Sequence, residues 1–349
     1  MKLLKISVLG LLVLTVCLAG GYLLLTWQAP LGPSLEPVQP NQMAAEFAAP
    51  QTATAPSAEV PPATLAPSPT PTIVPVCGGP PSLTILVSGV AAESYLYGLA
   101  DAIRVVHLDF QHQKVSVLAL PRDLWVDIPR IADHGIYQGK LNQAYFYGTE
   151  GMGYFDGSGY GSGLLAATLR EDFGLEVDRY LSVNLYAFRH IIDTMGGVDV
   201  TFQAPVYIKR FEKPKLYLNA GTHHLSGREA EQVVRTRIQI GDLGRIDNQT
   251  VVLKAVASQM LTPSGIQHLP GLIQVLQSSV LTDLSPAEIS QLVCLAEKVD
   301  SRSGIQFYDL PEKMLREDRV YDPYLDYQPS VLLYNAGELS SFIASVLEN

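Results

Sequence analysis

The chain predicts an α/β fold: a layered α/β/α domain with a mixed central sheet, preceded by an N-terminal transmembrane helix and a disordered stalk. Three observations predict it. Short apolar runs at 83–90, 102–108 and 115–120 have the character of strands covered on both faces. Segments at 161–173, 185–195 and 251–260 carry apolar residues at helical spacing, and strands interleaved with helices give layered α/β domains. The first 81 residues differ in composition from everything that follows.

Taken in order, Lys2 and Lys5 precede an apolar run over 6–27, long enough to span a bilayer as a helix. The lysines favour a cytoplasmic N-terminus, with Trp27 near the outer interface. A lipoprotein-type box ending at Cys17 is weak, because Val16 stands where a small residue is needed. The expectation is therefore an uncleaved single-pass plasma-membrane anchor with an extracytoplasmic domain. Residues 28–81 are rich in Pro, Ala, Ser and Thr with almost no charge, which reads as an extended stalk.

The folded domain is placed at 82–320. Its first strands are joined by a polar turn at 111–114, and a stretch at 151–163 holds six glycines, which reads as a mobile loop. Later come helical patterns at 271–280 and 286–299. The second opens with Ser285, Pro286 and Glu288, an N-cap signature. A short strand is expected at 305–310, and 321–349 forms a C-terminal tail with a helix.

Composition excludes some functions. Net charge is −10, so a nucleic-acid partner, which needs a broad basic face, is not expected. Three cysteines lack metal or redox spacing. Cys77 and Cys294 either pair, which an oxidising location permits, or stay as free thiols. The doublet His223–His224 reads as a surface turn.

The strongest local signal is the stretch SGREAEQVVRTRIQIGDLGRIDNQ at 226–249, which concentrates Arg228, Arg235, Arg237 and Arg245 in an acidic chain. Ser226 and Glu229 make a capping-box pattern for a short helix. From Val234 to Ile240 the residues alternate, which puts Arg235 and Arg237 on one face of an extended segment. Gly241 and Gly244 read as a turn, with a helix starting near Arg245. Arg122 and Asp123 sit at the tip of a buried strand, where ligands of layered α/β sheets bind. Lys140 follows a turn, and Asp101 opens a strand. Such a set offers cations for a diphosphate and a carboxylate for Mg²⁺.

The ordered motifs LPRD at 120–123, GKLNQAY at 139–145, GGVDV at 196–200, LSGREAEQVVRTR at 225–237 and GDLGRIDNQ at 241–249 resemble the LytR-CpsA-Psr family over about residues 83–320. The motif LTDL at 281–284, followed by a helix, adds to the resemblance. The resemblance implies an extracytoplasmic, Mg-dependent phosphotransferase. It would move a glycopolymer from an undecaprenyl-diphosphate carrier onto peptidoglycan. It also implies site roles. Arg122, Arg235, Arg237 and Arg245 grip the diphosphate, with Lys140 and Asn142 beside them, and Asp101 helps to hold the metal. Gln249 lies at the edge, Asp123 and Asp242 orient the arginines, and Gly196 and Gly197 make a tight turn.

Three positions depart from the family pattern. The stretch VSGVA at 87–91 offers Val90 or Ala91 where a carboxylate is expected, Leu99 replaces an arginine, and Asn248 replaces another. Glu93 is the nearest alternative acid. These departures favour a second function, a non-catalytic binder of polyprenyl phosphate or glycopolymer that organises envelope assembly. A lipid-diphosphate hydrolase is a third.

Overall fold

The computed structural model describes residues 26–36, 74–208, 216–237, 241–260, 262–300 and 303–347. The expected anchor up to residue 25, the stalk over 37–73 and the alternating positions 238–240 lie outside the described residues.

The strands are β1 (Ser82–Val90), β2 (Ala100–Asp109), β3 (Lys114–Leu120), β4 (Trp125–Asp127), β5 (Gln138–Lys140), β6 (Arg179–Asn184), β7 (Val198–Phe202), β8 (Val206–Ile208), β9 (Leu216–Leu218), β10 (Gly221–Leu225), β11 (Leu281–Thr282), β12 (Ile305–Asp309), β13 (Leu315–Arg319) and β14 (Ser330–Tyr334). The helices are α1 (Leu141–Tyr147), α2 (Tyr160–Phe173), α3 (Leu185–Thr194), α4 (Gly227–Arg235), α5 (Gly241–Met260), α6 (Pro263–Ser279), α7 (Pro286–Lys298) and α8 (Ala336–Leu347).

A six-stranded sheet in the order β11-β6-β1-β2-β3-β12 organises the domain. It is mixed: β1 pairs with β2 antiparallel and with β6 parallel, and β3 pairs with β2 antiparallel and with β12 parallel. Strands alternate their side chains between faces. Leu86, Ile103, Val105, Leu118 and Leu120 therefore enter one core, beneath α1, α2 and α8. Leu83, Ile85 and Leu108 enter the opposite one, with Leu284, Leu295 and Val299. Leu339, Ile343 and Val346 of α8 lie in the main core, so the segment after residue 320 packs with the domain. A third core joins β7, β8 and β10 to α4 and α5.

The register brings one sheet edge into use. β1, β3, β6 and β12 finish there and β2 starts there. Asp101 stands there in β2, and the loop leaving β3 carries Arg122 and Asp123.

Several local readings change. Residues 234–237 are not a strand: α4 runs to Arg235, and the capping box of Ser226 and Glu229 starts it. Gly241 and Gly244 lie in the first turns of α5 rather than in a turn before it. His224 lies in β10, where Asp199 holds its Nδ1 at 2.7 Å. Gly161 and Gly163 of the 151–163 stretch serve close packing. A Cβ on Gly161 would come within 2.6 Å of the Tyr145 carbonyl oxygen, and one on Gly163 within 2.0 Å of the Ser158 carbonyl oxygen. Gly196 and Gly197 have φ of 79° and 99°, which fits the tight turn from α3 into β7.

Cys77 and Cys294 are joined by a disulfide, which fastens the segment before β1 to α7. Residues 31–36 lie on the domain surface. Leu31 N donates to the Leu284 carbonyl at 3.2 Å, Leu35 N to Asp283 Oδ2 at 3.2 Å, and the Tyr180 hydroxyl to the Pro33 carbonyl at 2.9 Å. Gly32 passes so close to Thr282 that a Cβ would meet its carbonyl oxygen at 2.7 Å. The LTDL motif at 281–284 thus supplies the seat for this segment.

Candidate functional site

Asp101 is the centre of the site. It stands at the start of β2, and the β3 terminus delivers Arg122 beside it: Arg122 Nη1 donates to Asp101 Oδ1 at 2.6 Å. The loop after β3 is fixed by α1, whose Leu141 N and Asn142 N donate to the carbonyls of Leu124 and Arg122. Leu332 N donates to the Asp123 carbonyl from β14. Rigid elements on two sides therefore hold Arg122 and Asp123.

Around this pair, Arg122 Nε donates to Asp123 Oδ2 at 3.3 Å and Lys140 Nζ to Asp123 Oδ1 at 2.6 Å. Asp123 thus orients two cations. Arg237, just past the end of α4, has Nη2 at 4.0 Å from Asp101 Oδ2. Arg245 on α5 reaches the same oxygen with Nη1 at 3.9 Å, and its side chain is 2% exposed. Gln249, one turn further along α5, donates to the Asp101 and Val234 carbonyls at 3.4 Å. Asn142 Nδ2 donates to Asp101 Oδ1 at 3.3 Å.

The structure therefore brings together Asp101, Arg122, Asp123, Lys140, Asn142, Arg237, Arg245 and Gln249. Arg235 has a different partner: its Nη1 donates to Glu231 Oε1 at 2.7 Å one turn back on α4. Glu231 is shared with Arg189, which also holds both oxygens of Glu93. Glu93 is thereby committed to an arginine, whose hydrogen bonds are the largest cause holding its carboxyl below the usual range. Asp242 falls in the first turn of α5, and its side chain is outside the described residues.

One site residue escaped the sequence reading. Arg104 projects from β2 on the face covered by α5 and is 4% exposed. Its Nη1 donates to the Ile103 carbonyl at 3.1 Å, and its Nη2 lies 3.4 Å from Gln249 Oε1 and from Thr250 Oγ1. Burial lowers its pKa to about 10, Asp309 opposing the shift and Arg245 adding to it. The available signal was a lone arginine inside a strand buried on both faces.

The donor set also bears on Mg²⁺. Among the described residues no three carboxylates, histidines or cysteines converge. Mg²⁺ typically takes one or two protein oxygens and fills its shell with phosphates and water. Asp101 supplies one oxygen donor. Beside it Asn142 Oδ1 is buried with no hydrogen-bond partner, which supplies a second. The residues fit a metal shared with a bound diphosphate, not a cage built by protein alone.

The LytR_cpsA_psr family model matches residues 76–333, which include every residue of this cluster. The chain belongs to the LytR_cpsA_psr family. A relative from Oceanobacillus iheyensis, a polyisoprenyl-teichoic acid–peptidoglycan teichoic acid transferase, TagU, is 30% identical over 214 residues, 61% of this chain and 62% of that one. The alignment thus spans under two thirds of that relative. The Bacillus subtilis transferase TagT is 28% identical over 65% of this chain and 68% of its own length. Among solved structures, B. subtilis TagV superposes with a TM-score of 0.59 at 22% identity, covering 76% of this chain and 97% of that one. TagT bound to LIIa-WTA gives 0.56 at 22% identity over 79% and 96%. At that identity the structures establish a shared LytR_cpsA_psr fold, including its mixed central sheet.

Proposed function

We propose that this chain is a membrane-anchored, extracytoplasmic phosphotransferase that moves a glycopolymer from a polyisoprenyl-diphosphate carrier, undecaprenyl diphosphate, onto peptidoglycan. The observation that carries the reading is the convergence of Arg122, Arg237 and Arg245 on one carboxylate at the ligand-binding edge of the sheet. Three guanidinium groups gathered at one aspartate raise the local positive potential, which favours a multivalent anion beside them. A diphosphate diester supplies that anion through charge-assisted, forked hydrogen bonds. The named activity of the TagU and TagT relatives supports the same reading.

In the transfer, the acceptor hydroxyl oxygen bonds to the glycan-side phosphorus as the bond from that phosphorus to the bridging oxygen breaks, releasing polyisoprenyl monophosphate. Charge builds on the phosphoryl oxygens, and fixed guanidinium groups around them stabilise it without reorganisation. Asp123 keeps Arg122 and Lys140 aimed at the phosphates, and Gln249 ties α5 to the start of β2. When bound, Mg²⁺ would neutralise diphosphate charge, with Asp101 and Asn142 Oδ1 holding it beside the phosphates. The anchor at 6–27 would keep the site near a carrier embedded in the bilayer. The disulfide supports an oxidising, extracytoplasmic location.

A second reading is a non-transferring binder of the lipid-linked glycan, favoured by Ala91, Leu99 and Asn248, which remove a carboxylate and two cations expected at the site. One experiment separates them. Full-length protein in detergent is given a polyisoprenyl-diphosphate saccharide and peptidoglycan, with and without Mg²⁺. Mg-dependent appearance of phosphodiester-linked saccharide on peptidoglycan is expected. Tight binding without transfer selects the binder, and saccharide phosphate released into solution selects hydrolysis. Arg122→Ala removes a charge-assisted contact of about 1.5–3 kcal/mol, a roughly ten- to hundredfold loss of affinity. Arg235→Ala should cost less, and Arg228→Ala nothing.

A further inference from the structure

We infer that Arg104 and Arg245 form an inner anion subsite, behind Asp101, that takes the second phosphoryl group of the diphosphate. This rests on the polyisoprenyl-diphosphate reading and adds a phosphate-binding residue to it. Arg104 is a full charge set between Ile103 and Val105, which are both 0% exposed. Its hydrogen-bond acceptors among the described residues are neutral, and three of its four contacts lie at 3.4–3.5 Å, the outer limit of a hydrogen bond. Among the described residues no carboxylate stands within ion-pair distance of it. Asp309, whose charge supports Arg104 from a distance, pairs with Ala119 of β3 from the other side, so the two backbones stand two strand spacings apart, about 10 Å. An apolar residue of similar volume would serve a buried strand better than a guanidinium whose supporting carboxylate, Asp309, is not in direct contact with it.

The same face of α5 carries Arg245, Ile246, Gln249 and Thr250, spaced to lie side by side. Gln249 touches Arg104 through Oε1 and the Asp101 carbonyl through Nε2, so the inner cation adjoins the site centre. Arg104 adds a cation to the site from the buried side. An anion between Arg104 and Arg245 turns their repulsion into charge-assisted bonding. Arg122 and Arg237 would then hold the outer phosphoryl group.

The test titrates full-length protein with farnesyl diphosphate and farnesyl monophosphate, and records the melting temperature without ligand. Arg104→Met should bind the diphosphate roughly ten- to hundredfold more weakly, leave monophosphate affinity unchanged, and melt no lower than wild type. Arg104→Lys should recover part of the loss. If Arg104→Met binds diphosphate normally while Arg122→Ala does not, the subsite is wrong and the functional reading stands. If Arg104→Met melts lower and weakens both ligands alike, Arg104 is a clamp for α5 and the subsite falls. Wild-type protein that ignores the diphosphate would remove both proposals.

Discussion

Asp172 shows how a single buried carboxylate sets a pH dependence away from the site. Its Oδ1 accepts a hydrogen bond from Asp127 N at 3.3 Å, while Oδ2 is buried with no hydrogen-bond partner. Burial raises its pKa to about 7; the Asp127 amide opposes the shift, and the charges of Asp127 and Glu171 add to it. In the unfolded chain an aspartate titrates near 4. Between about pH 4 and pH 7 the folded protein therefore holds a proton that the unfolded chain has lost, so stability falls as pH rises through that window. Below it both states are protonated, and above it both are ionised. Thermal melts from pH 4 to pH 8 should show this decline in wild type. In Asp172→Asn the decline should shrink; an unchanged profile would assign it to other groups.

At the level of elements, α4 is both the best-read and the worst-read part of the sequence. Its start was legible because Ser226 and Glu229 satisfy each other's backbone donors, a local pattern that needs no tertiary information. Its end was not, since VVRTRIQI fits a period of two as well as a helix end. The i, i+4 pair of Arg235 with Glu231 decides for the helix. The central strands were legible because they are apolar on both faces. Arg104 was not, because its meaning depends on α5, which is more than 130 residues away in the chain. The seat for residues 31–36 was hidden for the same reason. Because α4 delivers Arg237 to Asp101, Ser226→Ala should cost about 0.5–2 kcal/mol of stability. Ligand affinity should also weaken, measured on the same sample. Loss of stability with affinity untouched would show that Arg237 is placed independently of the cap.

The molecule as a whole is closed by one covalent link of long span, between Cys77 and Cys294 across a sequence separation of 217. A loop of that length strongly restricts the unfolded chain, worth about 5 kcal/mol in entropy models. Reduction, or the double change Cys77→Ser with Cys294→Ser, should lower the melting temperature by several degrees. Chemical denaturation of oxidised and reduced samples checks it, and coincident curves would mean that native packing alone holds that corner.

Residues 31–36 carry a consequence for how far the domain can stand from the proposed anchor. Were 28–81 a free leash, it could extend roughly 180 Å at about 3.3 Å per residue. Its first part is instead moored on the domain at Asp283 and Leu284, and its last part is bolted to α7 through Cys77. With 6–27 as the proposed anchor, only residues 28–30 are left as slack, about 10 Å. On the proposed function, the domain would then ride flush on the lipid surface, within headgroup distance of the proposed carrier.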